Sequence, residues 1–198
     1  MKLGGKYNGK EVFFSFHYQD VIDFRANVVR NHWLTKEDRE DAGFFDASIW
    51  ENAKKESDLA LKRLINSGLE NTSVTAVLVG TDTYNRRWVS YEIMRSMYKG
   101  NKIIAVHINS IKGKDGKTKD KGPNPLYYLG YKFSDDGKII FLYDNIQNNW
   151  VEYSDLDSYA LEKIAPENMR GKIYRLSDNY PIYDWVDDDG YNNFASWV

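Results

Sequence analysis

The stretch "VTAVLVGTDTYNRRWVSYEI", residues 74–93, decides how the chain is read. Its first six residues are apolar or β-branched without alternation, the pattern of a strand buried on both faces. Gly80 ends the run. From near Asn85, the apolar residues Val89, Ile93 and Met97 recur at helical spacing as far as Lys99, and Gly100 is placed to cap the end. A doubly buried strand feeding an amphipathic helix is half of a parallel crossover unit.

Working outward, the same grammar repeats. "EVFFSFHY" (11–18) reads as a first strand ending near Phe16 or His17. "DVIDFRANVVRNHW" (20–33) follows as a helix, with Asp20 as its cap and Val21, Phe24, Val28 and Val29 as its stripe. "AGFFDASI" (42–49) reads as a second strand. "SDLALKRLINSG" (57–68) reads as a helix with the stripe Leu61, Leu64 and Ile65, stopping at Gly68. "KIIAVHI" (102–108) is the strand after the opening stretch. Strand and helix alternate throughout, so the fold class is α/β with a mainly parallel sheet.

Beyond that the pattern loosens. Five lysines lie between Lys112 and Lys121 in a Gly-containing loop, which suits either a solvated surface or a flap that meets phosphate or a partner. "GYKFSDDGKIIFLYDN" (130–145) holds an Asp-Gly turn and reads as a hairpin. Its second arm, Lys138 to Tyr143, is predicted as the fifth strand. "SDLDSYALEKIAP" (154–166) reads as a last helix, with Ser154 and Asp157 at capping-box spacing and Pro166 ending it. The aromatic, acidic tail has no clean period and is expected to pack over the domain.

Composition removes several functions. The 198 residues carry a formal charge of −2, which supplies no field for nucleic acid or anionic membrane. No run of apolar residues has the length of a membrane span. The absence of cysteine excludes disulfides, thiol catalysis and cysteine-containing zinc sites, and makes a reducing cytoplasm the expected compartment. His17, His32 and His107 are too scattered for a histidine-rich metal site. Neither a dinucleotide glycine fingerprint nor a Walker loop is present.

In an open parallel sheet, ligands sit beyond the carboxyl ends of the strands. Those ends offer Phe16, His17 and Tyr18, then Asp46, then Gly80, Thr81 and Asp82, then His107 and Asn109. The helix carrying Trp88 and Glu92 starts at the same edge. Four residues apart, these two project together beside the buried stripe. Spacing alone allows two placements for Glu92: a solvated carboxylate near a boundary tryptophan, or a carboxylate in an aromatic-walled cleft. His17 likewise suits either a hydrogen bond to the loop backbone or a ligand contact. His107 reads as structural and His32 as surface.

The sequence also resembles a family. "EVFFSFHYQD" resembles the opening strand of TIR domains. "VTAVLVGTDTYNRRWVSYEI" is similar to their third strand and next helix, including W-x-x-x-E as Trp88 and Glu92, and "KIIAVHI" to the following strand. The F-F-S-F-H-Y opening resembles in particular the TIR-like subunit of the bacterial Thoeris antiphage system. The resemblance spans about residues 10–145 of a single domain, and residues 146–198 are then its C-terminal elaboration. It implies a flavodoxin-like, three-layer sandwich with a five-stranded sheet in the order 2-1-3-4-5.

It further implies an enzyme that senses a phage-derived trigger and converts NAD to a cyclic ADP-ribose isomer, a diffusible signal for a separate effector. NAD is then substrate, and no other cofactor is called for. Glu92 falls on the catalytic position, and Phe16, His17, Tyr18, Asp46, Thr81, Asp82 and Trp88 become the nucleotide contacts. A homo-oligomer is compatible with this picture. The lysine-rich insertion, the aromatic tail and the histidine-aromatic pair at the first strand end depart from common TIR domains. Two other classes fit the residues: a catalytically silent TIR-like scaffold acting through protein contacts, and a flavodoxin-like or receiver-like module for another small ligand.

Overall fold

The computed structural model describes residues 10–35, 39–42 and 47–198. The chain runs β1 (Lys10–Phe16), α1 (Tyr18–Ile22), α2 (Arg25–Leu34), β2 (Arg39–Ala42), α3 (Ala47–Glu56), α4 (Asp58–Leu69), β3 (Val74–Val79), α5 (Arg87–Lys99) and β4 (Lys102–His107). It continues through β5 (Leu129–Phe133), β6 (Ile139–Ile146), β7 (Asn149–Glu152), β8 (Tyr159–Ala160), β9 (Ile173–Arg175), β10 (Ile182–Asp184) and α6 (Gly190–Trp197).

Side-chain parity along the strands builds two cores. Val12 and Phe14 of β1, Ala76 and Leu78 of β3, and Ile104 and Val106 of β4 pack on one face against Ala26, Val29 and Trp33 of α2 and Phe194 and Trp197 of α6. On the other face, Phe13 meets Leu61, Ile65 and Leu69 of α4. Val77, Val79, Ile103 and Ala105 meet Val89, Ile93 and Met94 of α5 on that same face. Helices therefore cover both sides. The sheet order is β2-β1-β3-β4-β10, with every neighbouring pair parallel. The order 2-1-3-4-5 is borne out, but the fifth place belongs to β10 from the tail.

Lys138–Tyr143 lies elsewhere, in an antiparallel sheet ordered β7-β6-β5-β9, with β8 also on β6. The reason is the Asp136-Gly137 turn, where Gly137 takes φ 73°. A tight turn joins antiparallel neighbours, whereas a parallel partner needs a long crossover. The hairpin reading holds and excludes the parallel one. Leu129, Tyr131, Ile140 and Leu142 of this sheet press on the α5 core.

Other elements depart from the sequence reading. The second strand is Arg39–Ala42, and Ile49 lies in α3. The helix predicted over 20–33 is two helices, broken where Phe24 adopts φ 65°. The break resets the helical phase, so Phe24 and Val28 are 49% and 41% exposed while Ala26, Val29 and Trp33 are buried. Asp20 caps nothing; it lies within α1, buried, at the site an added Cβ on Gly80 would occupy. Residues 154–166 form no helix, because Tyr159 and Ala160 pair with Ile140 and Ile139 of β6. Tertiary pairing there outweighs a weak helical pattern.

Gly68 does not stop its helix, which runs on to Leu69 with Glu70 as its cap. Ser57 caps α4, its Oγ accepting from the Ala60 amide at 3.0 Å. Gly100 ends α5 at φ 82°. The lysine-rich loop is strapped over the carboxyl ends of β3 and β4. Thr81 Oγ1 and Asn109 Nδ2 both donate to the Asp120 carbonyl, at 2.9 and 2.8 Å, and Arg25 Nη2 donates to that of Lys117 at 2.7 Å. Lys119 pairs with Asp23, and Lys121 meets Asp184 at 3.0 Å. Among the described residues, no helix is long and apolar enough to cross a membrane.

Candidate active site

Three elements enclose a cavity of about 430 Å³ at the carboxyl end of β1. β1 and its exit contribute Phe16, His17 and Tyr18; α3 contributes Trp50, Glu51 and Lys54; the start of α5 contributes Arg86, Arg87, Trp88, Val89 and Glu92, beside Asn85. Phe16, His17, Tyr18, Trp88 and Glu92, scattered in the sequence, are thus brought together. Thr81 and Asp82 are not in the lining: Thr81 holds the lysine loop, and Asp82 is an exposed partner of Arg86 at 3.8 Å. Asp46 lies outside the described residues.

Glu92 does not face solvent. It is 5% exposed and stands on the same helix face as the buried Val89 and Ser96. The reason lies on β1. Ser15 has the parity of Phe13, so its side chain points toward α5, and it is fully buried. Its Oγ donates to Glu92 Oε2 at 2.5 Å. One turn on, Ser96 Oγ donates to the Glu92 carbonyl at 2.6 Å and accepts from Thr75 Oγ1 at 2.7 Å. A narrow polar seam therefore joins β1, β3 and α5 inside an otherwise apolar layer.

Burial raises the Glu92 pKa to about 8, and the Ser15 bond opposes that rise. Near neutrality the carboxyl keeps its proton, ready to lose it when positive charge arrives. His17 is pushed the other way: burial, then the Arg86 charge, lower its pKa. The imidazole is therefore neutral near pH 7 and able to accept or donate a hydrogen bond. His107 is buried, with Nδ1 unpartnered, and does not line the cavity. His32 packs against Tyr191 and Trp185, with ring centroids 4.5 and 5.4 Å away, so it is more enclosed than a surface residue.

The walls are held from outside. Trp88 stands edge-on to Tyr91 at 6.0 Å, with the Arg87 guanidinium 4.7 Å over its ring. Arg87 is fixed by two 2.8 Å bonds to Asp155 and by Asp58 at 2.7 Å. The Arg87 bonds hold the Asp155 carboxyl well below the usual range. The sequence reading missed Ser15, Trp50, Glu51, Lys54, Arg86 and Arg87. Ser15 carried a signal, as a polar residue inside a doubly buried strand. Trp50 and Lys54 did not, because the strand read over 42–49 displaced the start of α3.

A family model described as "Thoeris protein ThsB, TIR-like domain" matches residues 13–112. The chain belongs to the Thoeris ThsB family. The match runs from β1 to just past β4 and contains Ser15, His17, Trp88 and Glu92. A protein of Bacillus cereus (strain MSX-D12), named "Putative cyclic ADP-D-ribose synthase ThsB1", is 65% identical over 189 residues. Those residues are 96% of this chain and 98% of the relative, so the match also takes in the segments that form the antiparallel sheet here. The chain is a TIR-like subunit of the Thoeris antiphage system, as its opening strand implied.

Proposed function

We propose that this protein senses infection and converts NAD to a cyclic ADP-ribose isomer that activates a separate effector. The observation that carries the chemistry is Glu92, a buried carboxyl bonded to Ser15 on the wall of an aromatic-sided cavity. The relative's name supplies the reaction class. The nicotinamide of NAD is a cationic leaving group that departs neutral, taking the electron pair of its bond to the ribose. The sugar left behind is oxocarbenium-like. An ionised Glu92 stabilises that developing charge. A pyridinium cation in the cavity favours the ionised carboxylate, so substrate binding and proton release are linked.

Phe16, Tyr18, Trp50 and Trp88 supply apolar walls that keep water from the cation. With water excluded, the substrate's own adenosine half is the nearer nucleophile, and a ring closes. His17 and Tyr18 are assigned to substrate contact at the mouth. Thr81 and Asp82 stay one step back, Asp82 acting through Arg86. The chain works as one domain, since β10 and α6 complete the sheet and core begun by β1. It acts in the cytoplasm, where NAD is available, and its trigger is phage-derived. The test is mass spectrometry of small molecules from infected cells carrying wild type or Glu92→Gln. Loss of nicotinamide and cyclic product with the variant supports the enzyme. Normal product with the variant removes Glu92 from catalysis, and absence of product from wild type turns the reading to a scaffold.

A further inference from the structure

Among the described residues, the cations around the cavity are not equally well paired. Arg87 is neutralised by Asp58 and Asp155. Glu51 and Lys54, one of each sign, lie three apart on α3. Arg86 is different. Its ion partner among the described residues is Asp82 at 3.8 Å, a carboxylate 58% exposed and outside the cavity lining. The Arg86 Nε is shielded from water and meets no acceptor. A guanidinium N–H left in that state is waiting for an oxygen.

We propose that Arg86 holds the pyrophosphate of the dinucleotide on which Glu92 acts. The assignment rests on the reading of the cavity given above and adds the part of the substrate that reading left unplaced. A planar guanidinium matches two phosphate oxygens at once, which a lone, exposed Asp82 does not use. The spacing agrees. Arg86 precedes Glu92 by six residues, about 9 Å along a helix axis. In a dinucleotide one ribose separates the anomeric carbon from the first phosphate, so the anion must sit a sugar's length from the carboxyl. Both residues line the same cavity. The helix between them opens without a side-chain cap, and its positive end reinforces the field of Arg86. Arg86 then selects dinucleotides over nicotinamide riboside, which carries the scissile bond but no phosphate.

The experiment is calorimetric titration of the purified protein with ADP-ribose, which carries the pyrophosphate, and with nicotinamide riboside, which does not. Wild type is expected to bind ADP-ribose with an affinity that falls as salt rises. Arg86→Gln should weaken ADP-ribose about tenfold or more and leave nicotinamide riboside within about twofold. Arg86→Lys should recover part of the loss. Lys102→Gln, an exposed charge at the far end of β4, should change neither ligand. Arg86 is only partly buried, and thermal melts of the variant confirm its fold. If Arg86→Gln binds ADP-ribose like wild type, or loses both ligands equally, the pyrophosphate assignment is overturned while the cavity reading stands. If wild type binds neither ligand, the cavity reading itself fails and takes the assignment with it.

Discussion

The parallel sheet and the antiparallel sheet share a core through α5, yet Glu92 and the cavity it lines belong to the parallel one, while a separate hollow of about 560 Å³ runs along β6 and β7. The parallel sheet is covered on both faces, and its strand ends open toward α3 and α5. An acid placed there is cut off from water, and its protonation becomes responsive to what enters. The antiparallel sheet keeps one side wet. Ile146 and Val151 at its β6–β7 end are 52% and 40% exposed, and Asp144 within it is only half-buried. The lesson is one of dielectric. Burial raises the pKa of Asp144 on β6 as well as that of Glu92, but Glu92, beneath the sheet covered twice, is shut away while Asp144 stays half-buried.

The largest expected effect breaks that contrast directly. Glu92→Gln removes the ionisable group and should lower nicotinamide release about a hundredfold. Its stability should move the opposite way. Glu92 holds its proton more tightly when folded than when unfolded, so its ionisation costs stability. That cost grows as pH rises above the ordinary carboxyl range and is complete above about 8. At pH 9 the variant should be more stable than wild type by on the order of 5 kcal/mol, and the gap should close toward pH 5. Melting curves at the two pH values decide it; equal gaps at both would mean Glu92 is not buried in solution.

A cut in the antiparallel sheet should behave differently. Leu142→Ala removes a buried side chain of β6 and should cost about 3 kcal/mol in denaturant unfolding. It should leave the pH midpoint of kcat/KM, expected near about 8, where it was. A shifted midpoint would show that the second sheet tunes the acid and does more than support it.

Ser15→Ala tests the link between the layers. Losing the donated hydrogen bond should push the Glu92 pKa up further, because that bond favours the ionised form. In extracts of infected cells the kcat/KM profile should move to higher pH, with about a tenfold loss at pH 7. Ser15→Thr should restore part of it. An unmoved profile would leave Ser15 as packing alone. The smallest effect belongs to the wet face: Val151→Thr on β7 should change stability by no more than about 0.5 kcal/mol and leave turnover intact.

The same contrast governs what could be read before the structure. Residues 74–107 declared themselves because strand, turn and helix each had room for a full period. Glu92 stayed ambiguous, since spacing places it beside Trp88 but cannot say what stands opposite. The answer was Ser15, 77 positions away. Asp155 reaches Arg87 across 68 positions and left no local trace. In the C-terminal third, β8, β9 and β10 are two or three residues long. Strands that short have no periodicity of their own. They exist because β6, β5 and β4 offer free edges, and edges are tertiary facts. The legible features there were the Asp136-Gly137 turn, which carried a local backbone requirement, and the apolar strand that follows it.

The strapped lysine loop has a thermodynamic consequence. A long loop beside a binding crevice ordinarily surrenders its freedom when a ligand arrives, and affinity falls by that amount. Here the freedom is given up during folding, through the carbonyls of Lys117 and Asp120 and the pairing of Lys121 with Asp184. Gly122 tightens the arrangement further, since a Cβ there would come within 2.1 Å of the Gly80 carbonyl. None of these loop residues lines the cavity beside β1, so the loop stands as surroundings already set, and association there carries little entropic charge from that quarter.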